Sequence, residues 1–157
     1  IVFGDEPAQF QTPRGDEVLH IYSVKTDTLE TVAGKSRELL WSPRWSPDGK
    51  YLSAQTILGQ QLRIFDLTRH VWRNLPADHV EYVNWSRDGR FIYYLTEGQT
   101  HMLRRIRLAD GVSETLFDLT SYSVVPYAWM GLTLDDSPML LRNLGTTEVY
   151  ALKLATR

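Results

Sequence analysis

Four histidines, His20, His70, His79 and His101, are the side chains of this 157-residue chain best suited to hold a metal or carry a proton near neutral pH. None has a second histidine or a carboxylate at ligand spacing, so they read as surface or strand-edge residues. Asp48, Asp88 and Asp135 recur along the chain, but calcium would need several more oxygens converging on each. An aspartate that orders a turn through its own backbone accounts for all three. Arg104, Arg105 and Arg107, read as one face of a strand, could meet a phosphate. A nucleic-acid groove needs a wider positive field and interleaved aromatics, so a solvated flank is the expectation. The absence of cysteine excludes disulfides, thiolate catalysis and Cys-ligated zinc, and no serine sits in a Gly-x-Ser-x-Gly elbow. Trp72 is the aromatic best placed to stack on a sugar, although exposure without a role is the expected outcome. No catalytic residue, metal site or cofactor is expected.

The elements that position these residues follow from a repeat. Trp45-Ser-Pro-Asp-Gly-Lys50 returns as Trp85-Ser-Arg-Asp-Gly-Arg90, and each copy opens into a β-rich run. Asp bonds its own backbone and Gly supplies a positive φ, so both copies read as turns between a first and a second strand. The third strands align better still. Tyr22 and Val24, Phe65 and Leu67, Ile106 and Leu108, and Tyr150 and Leu152 form pairs one residue apart, at steps of roughly 41–44 residues. A strand that turns one face to a neighbour requires this period of two. Val32, Leu75 and Leu116 mark a fourth, outer strand.

Second strands are expected at 51–56, 91–96 and 139–142, first strands ending at Trp45 and Trp85, with Tyr127-Ala-Trp129 as a looser third. Both tryptophans read as packing anchors. No segment has a 3.6-residue period, so helix content is expected near zero. The fold class is therefore all-β, built from β-propeller blades: four-stranded antiparallel sheets around a central axis. The expected boundaries are 1–34 (strands two to four of a first blade), 35–76, 77–118, and 119–157 (strands one to three of a last). About three and a half blades leave flanks that blades normally cover, so the remaining blades of a parent chain or a second copy of this one should close the ring. The isolated chain should self-associate.

Seventeen basic against nineteen acidic residues give a net charge of −2, which offers no general attraction to nucleic acid or an anionic membrane. No apolar run approaches the roughly 18 residues that cross a bilayer, so no membrane contact by this segment is expected. The chain opens at Ile1 inside an apolar run and reads as a piece of something longer. The compartment stays open, with a periplasmic or other extracytoplasmic one favoured.

The two Asp-Gly turns, each followed by a third strand like Arg63-Ile-Phe-Asp-Leu67, resemble the repeats of TolB-like β-propellers over nearly the whole chain. The segment Trp129 to Leu152 looks like the closing segment of such propellers at the C-termini of large bacterial proteins. The resemblance implies a six-bladed parent, appended to a winged-helix or Ser/Thr kinase domain as sensing or protein-binding equipment. It also implies two alternatives: a gate in front of a prolyl-oligopeptidase-like hydrolase, or a polysaccharide lyase with several histidines on one metal. Three departures stand out: a last turn without glycine, Arg87 where the repeat usually has proline, and a long first loop.

That loop, Asp5 to Glu17, joins second and third strands and shares one end of the propeller with the connections between blades near 35–40, 77–81 and 118–122. Rigid scaffolds present recognition residues on such loops. A protein or peptide partner is therefore expected there, with Phe10, Arg37, Glu38, His79, Glu81, Tyr82 and Tyr122 as contacts.

Overall fold

A computed structural model describes residues 1–4, 19–32, 40–56, 61–77, 79–96, 98, 100–122, 129–141 and 145. Within them the chain forms thirteen strands and no helix: β1 (Val2–Gly4), β2 (Leu19–Ser23), β3 (Thr28–Val32), β4 (Leu40–Trp45), β5 (Tyr51–Thr56), β6 (Leu62–Asp66), β7 (Val71–Leu75), β8 (Val80–Trp85), β9 (Phe91–Thr96), β10 (Met102–Arg107), β11 (Ser113–Asp118), β12 (Met130–Leu132) and β13 (Pro138–Leu140). They assemble as antiparallel sheets in chain order, β1-β2-β3, β4-β5-β6-β7, β8-β9-β10-β11 and β12-β13. Strands β4, β8 and β12 touch in succession, which places first strands on the inside of the fan.

The period of two in the third strands does the packing. In β6, Leu62 and Ile64 point to the third sheet, where they meet Ile92, Tyr94 and Ile106, while Phe65 points back to Leu19 and Val32 of the first. Between the third and last sheets Tyr93, Leu95 and Leu103 pack against Met130. Each interface is thus the rear face of one sheet laid on the front face of the next. Phe65 and Ile106 are buried as expected, whereas Tyr22 is half-buried and its hydroxyl donates to Asp27. Val24 is exposed, while Leu67 and Leu108 still lean on the cores. Tyr150 and Leu152 lie outside the described residues.

Several expectations need correction. Trp85 packs on the core between the second and third sheets and donates its indole N–H to Ser53 Oγ at 3.0 Å. Trp45 is exposed instead: the first-sheet residue in the seat of Ser53 is Val2, which offers no acceptor. Trp72 is a core contact, tilted on Phe65 with ring centres 5.1 Å apart and capped by Arg63. Val32 and Leu75 are buried but Leu116 is not, because a bulge sets Leu103 opposite Phe117 and leaves Leu116 unpaired. The first strand of the last sheet is Met130–Leu132, and Leu132, not Trp129, ends it; the second is Pro138–Leu140. The three arginines do not share a face. Arg105 pairs with Glu114 and lies over Phe91, Arg107 pairs with Asp110, and Arg104 points the other way.

The Asp-Gly turns are built alike. Ser86 Oγ donates to Asp88 at 2.8 Å and accepts from the Phe91 N–H, and Asp88 also accepts from the Arg90 N–H. That backbone bond, the Ser86 hydroxyl and the Arg90 guanidinium hold the Asp88 carboxyl down to about 2 from an ordinary 3.8. A carboxylate whose folded-state pKa is depressed stabilises above its unfolded value and loses that contribution as pH falls through the folded one. The urea midpoint should therefore hold down to about pH 4 and drop between about 4 and 2. Asp88→Asn should lose part of that drop, and an unchanged acid limb would show that the carboxylate adds nothing.

Candidate partner-binding face

Antiparallel alternation sends two kinds of chain segment to one end of the fan: the hairpins joining second to third strands and the connections between sheets. Of the seven expected contacts, Phe10, Arg37 and Glu38 lie outside the described residues. His79 directly precedes β8, Glu81 and Tyr82 lie at its start, and Tyr122 follows β11. His79 is exposed, and Glu81 and Tyr82 are half-buried.

The head of β8 is irregular in a way no motif announces. Glu81 pairs with Leu95 and Asn84 with Tyr93, so Tyr82 and Val83 together oppose Tyr94. The same bulge occurs in β4, where Ser42 and Pro43 oppose Ala54. In both, the first extra residue is left-handed, Ser42 at φ 51° and Tyr82 at φ 50°, and His79 adds φ 52°. A left-handed backbone costs an L-residue on the order of 1–2 kcal/mol, and such outliers gather where a side chain is re-aimed for a purpose. Here Val80 and Val83 both reach the core toward the second sheet, while Tyr82 swings to the opposite side and packs on the cluster of Tyr93, Leu95, Leu103, Leu119 and Met130. Asn84 follows it and clips the last sheet through a 3.0 Å bond to the Met130 carbonyl.

Tyr122 lies close by, bonded to Leu119 of that cluster. Its N–H donates to the Leu119 carbonyl at 2.9 Å and its ring leans on Phe117 with centres 5.6 Å apart. The Thr120 hydroxyl and N–H hold Asp118 below the usual carboxylate range, fixing the turn that carries Tyr122. Beside it opens an apolar cleft of about 460 Å³, walled by Leu103, Leu116, Phe117 and Leu119 on one side and Pro138, Leu140 and Leu141 on the other. The structure thus sets Tyr82 on the apolar cluster and Tyr122 in the wall of the cleft that shares Leu103 and Leu119 with it, and leaves His79 and Glu81 at the start of the inner strand. Sequence reading did not identify the cleft. Adjacent Leu116 and Phe117 in a strand that should alternate were the available signal.

Among the described residues no three His, Asp or Glu side chains group as a metal site. His20 lies in β2 against Phe3, and His101 directly precedes β10.

No protein-family profile and no curated protein matches the sequence. Solved structures do. TolB from Acinetobacter baumannii is similar with a TM-score of 0.66 at 18% identity, over 86% of this chain and 34% of that one. An oligogalacturonate lyase in complex with manganese gives 0.62 at 11%, over 80% and 36%. The β-propeller domain of the Trilobed protease from Pyrococcus furiosus, described as having an open velcro topology, gives 0.52 at 14%, over 74% and 37%. Radial four-stranded antiparallel sheets with these neighbours define a partial β-propeller of several blades. Its fold is TolB-like, and the chain spans about a third of the length of the structures it matches.

Proposed function

We propose that this propeller is a non-enzymatic scaffold that binds a protein or peptide at the end carrying the sheet connections, as the sensory or interaction region of a larger bacterial signalling protein with a kinase or winged-helix domain. The observation that supports the reading most is the apolar cleft of about 460 Å³ with Tyr122 in its wall and Tyr82 on the cluster that shares Leu103 and Leu119 with it. A concave apolar surface with an aromatic in its wall is what a peptide side chain anchors in. Phe10, Arg37, Glu38, His79 and Glu81 complete the proposed face. Nucleic acid is disfavoured because Arg105 and Arg107 are each paired with a carboxylate.

Displayed random peptides selected on the chain test this. A selected binder should lose about thirtyfold in affinity with Tyr122→Ala, the effect of truncating an aromatic anchor worth about 2 kcal/mol. Arg69→Ala, on a turn between third and fourth strands, should leave it unchanged. Binders indifferent to Tyr122, or no binders at all, would reject the reading. The likeness to a lyase and to a protease domain favours the alternative of an enzyme-associated propeller. Saturable manganese binding in the same preparation would favour the lyase.

A further inference from the structure

We propose that Gln55, with Ser42 and Trp41, forms a subsite between the second and third sheets that takes an uncharged carboxamide, the group an asparagine or glutamine side chain of a partner carries. Gln55 is a polar residue in an apolar seat. It is 1% exposed, and its Oε1 accepts no hydrogen bond among the described residues. The pairs Trp41↔Gln55 and Gln55↔Leu62 match Glu81↔Leu95 and Leu95↔Leu103, so Gln55 stands where the third sheet has Leu95. Leu95, 6% exposed, packs into an apolar cluster. The repeat therefore has no need of a glutamine here, and a buried acceptor left without a donor weakens the fold.

The surroundings of Gln55 change with it. Along β5, Leu52 and Ala54 face the first sheet while Ser53 receives the Trp85 N–H from the third, so alternation turns Gln55 toward the third sheet as well. In the third sheet Tyr82, the extra residue of the bulge, packs on the cluster that holds Leu95. The second sheet has the same bulge with Ser42 in that position, left-handed and half-buried. Its aromatic stands one residue earlier, at Trp41, directly across from Gln55 and so on the same face. Trp41 is 47% exposed, and its indole N–H reaches the Thr56 carbonyl at 3.3 Å. A hydroxyl and a carboxamide thus replace a phenol and an isobutyl group. Displacing the Trp41 ring, at the loss of one long hydrogen bond, opens the way to them.

The chemistry of the pair selects the ligand. An ion brought beside the fully buried Leu62 would lose its hydration and gain only neutral groups in exchange, at a large net cost. A carboxamide brings an N–H for Oε1 and an oxygen for the Gln55 amide protons, two reciprocal bonds between neutral groups. The subsite lies at the end of the fan that carries the sheet connections, shares no residue with the walls of the apolar cleft, and does not depend on that cleft's holding a peptide.

Nitrogen–proton correlation spectra of the isotope-labelled full chain, titrated with propionamide, test this. Saturable shifts in the millimolar range are expected at two places. One is the Gln55 side-chain amide, identified by its loss in Gln55→Leu; the other is the Trp41 indole, identified with Trp41→Phe. Propionate and propylammonium at the same concentrations should move neither. Gln55→Leu copies the third sheet, so it should melt at least as high as the parent while abolishing the Trp41 shift. Ser42→Tyr, which copies the third sheet's phenol, should abolish the shift independently. A folded Gln55→Leu that melts well below the parent would show that the carboxamide is already satisfied within the fold, and would overturn the proposal. So would equal shifts with the charged analogues, or a Trp41 shift that survives Gln55→Leu. The absence of any saturable shift would overturn it too, and would leave Oε1 to an internal water.

Discussion

Phe65→Asp should leave the second sheet, and the first sheet that leans on it, unable to fold. Phe65 sits between Leu19, Val32 and Leu52, with Trp72 and the His70 ring on its edges. The substitution removes that packing and buries a carboxylate against apolar neighbours. A penalty of about 4 kcal/mol or more is expected, a large share of what a domain this size commonly has in reserve. Loss of the cooperative urea transition, read by tryptophan fluorescence, is the signature, since Trp72 touches Phe65 directly. A transition at the parental midpoint would mean that Phe65 does not carry the interface. Val24→Asp, at the first sheet's exposed counterpart of Leu67, should by contrast be tolerated.

The second large effect concerns a pair of departures from the repeat that meet in space. Arg87 stands where the second sheet has Pro47, and Asp136 stands where the other turns have Gly49 and Gly89; all three turn residues share a left-handed backbone, with Asp136 at φ 63°. The Arg87 N–H donates to Asp136 Oδ1 at 2.8 Å, and the Arg87 guanidinium reaches the Leu134 carbonyl. A proline at 87 has no such hydrogen, and an aspartate at 136 is costly without it. Arg87→Pro should therefore destabilise by about 2 kcal/mol, the value of a lost hydrogen bond to a charged group. Asp136→Gly should be milder, because relief of the left-handed strain offsets part of the lost bond. The double variant, which restores the proline–glycine combination, should recover most of the loss, with a coupling of about 2 kcal/mol across the four urea midpoints. Simple additivity would show that the two positions do not act as a unit.

These two cases mark how far the sequence could be read. Asp-Gly turns and third-strand pairs are local signals: a period of two and a turn chemistry suffice to place Phe65 and Ile106 in equivalent seats and to expect strands at 51–56 and 91–96. Whatever depends on the neighbouring sheet escaped. Trp45 and Trp85 open matching copies of the repeat, yet only Trp85 has a serine across the interface to receive its N–H. Trp72 was expected outside and packs inside, because Phe65 and Arg63 build a pocket that its own strand does not reveal. Arg87 and Asp136 were visible one at a time as exceptions, 49 residues apart, and nothing in the chain announced that one answers the other. For the candidate face, the location of the connections was legible and Tyr82 and Tyr122 were named, but the apolar cluster under the one and the cleft beside the other were not. A left-handed tyrosine carries no glycine or asparagine to flag it.

The doubled residue in β4 and β8 has one more consequence. By resetting the phase of the strand at Ser42 and Tyr82, it uncouples the stretch beneath, which must stay in step with its neighbours, from the stretch above. The rim can then change composition while the hub keeps its stride, so one wheel can be fitted with many different tyres.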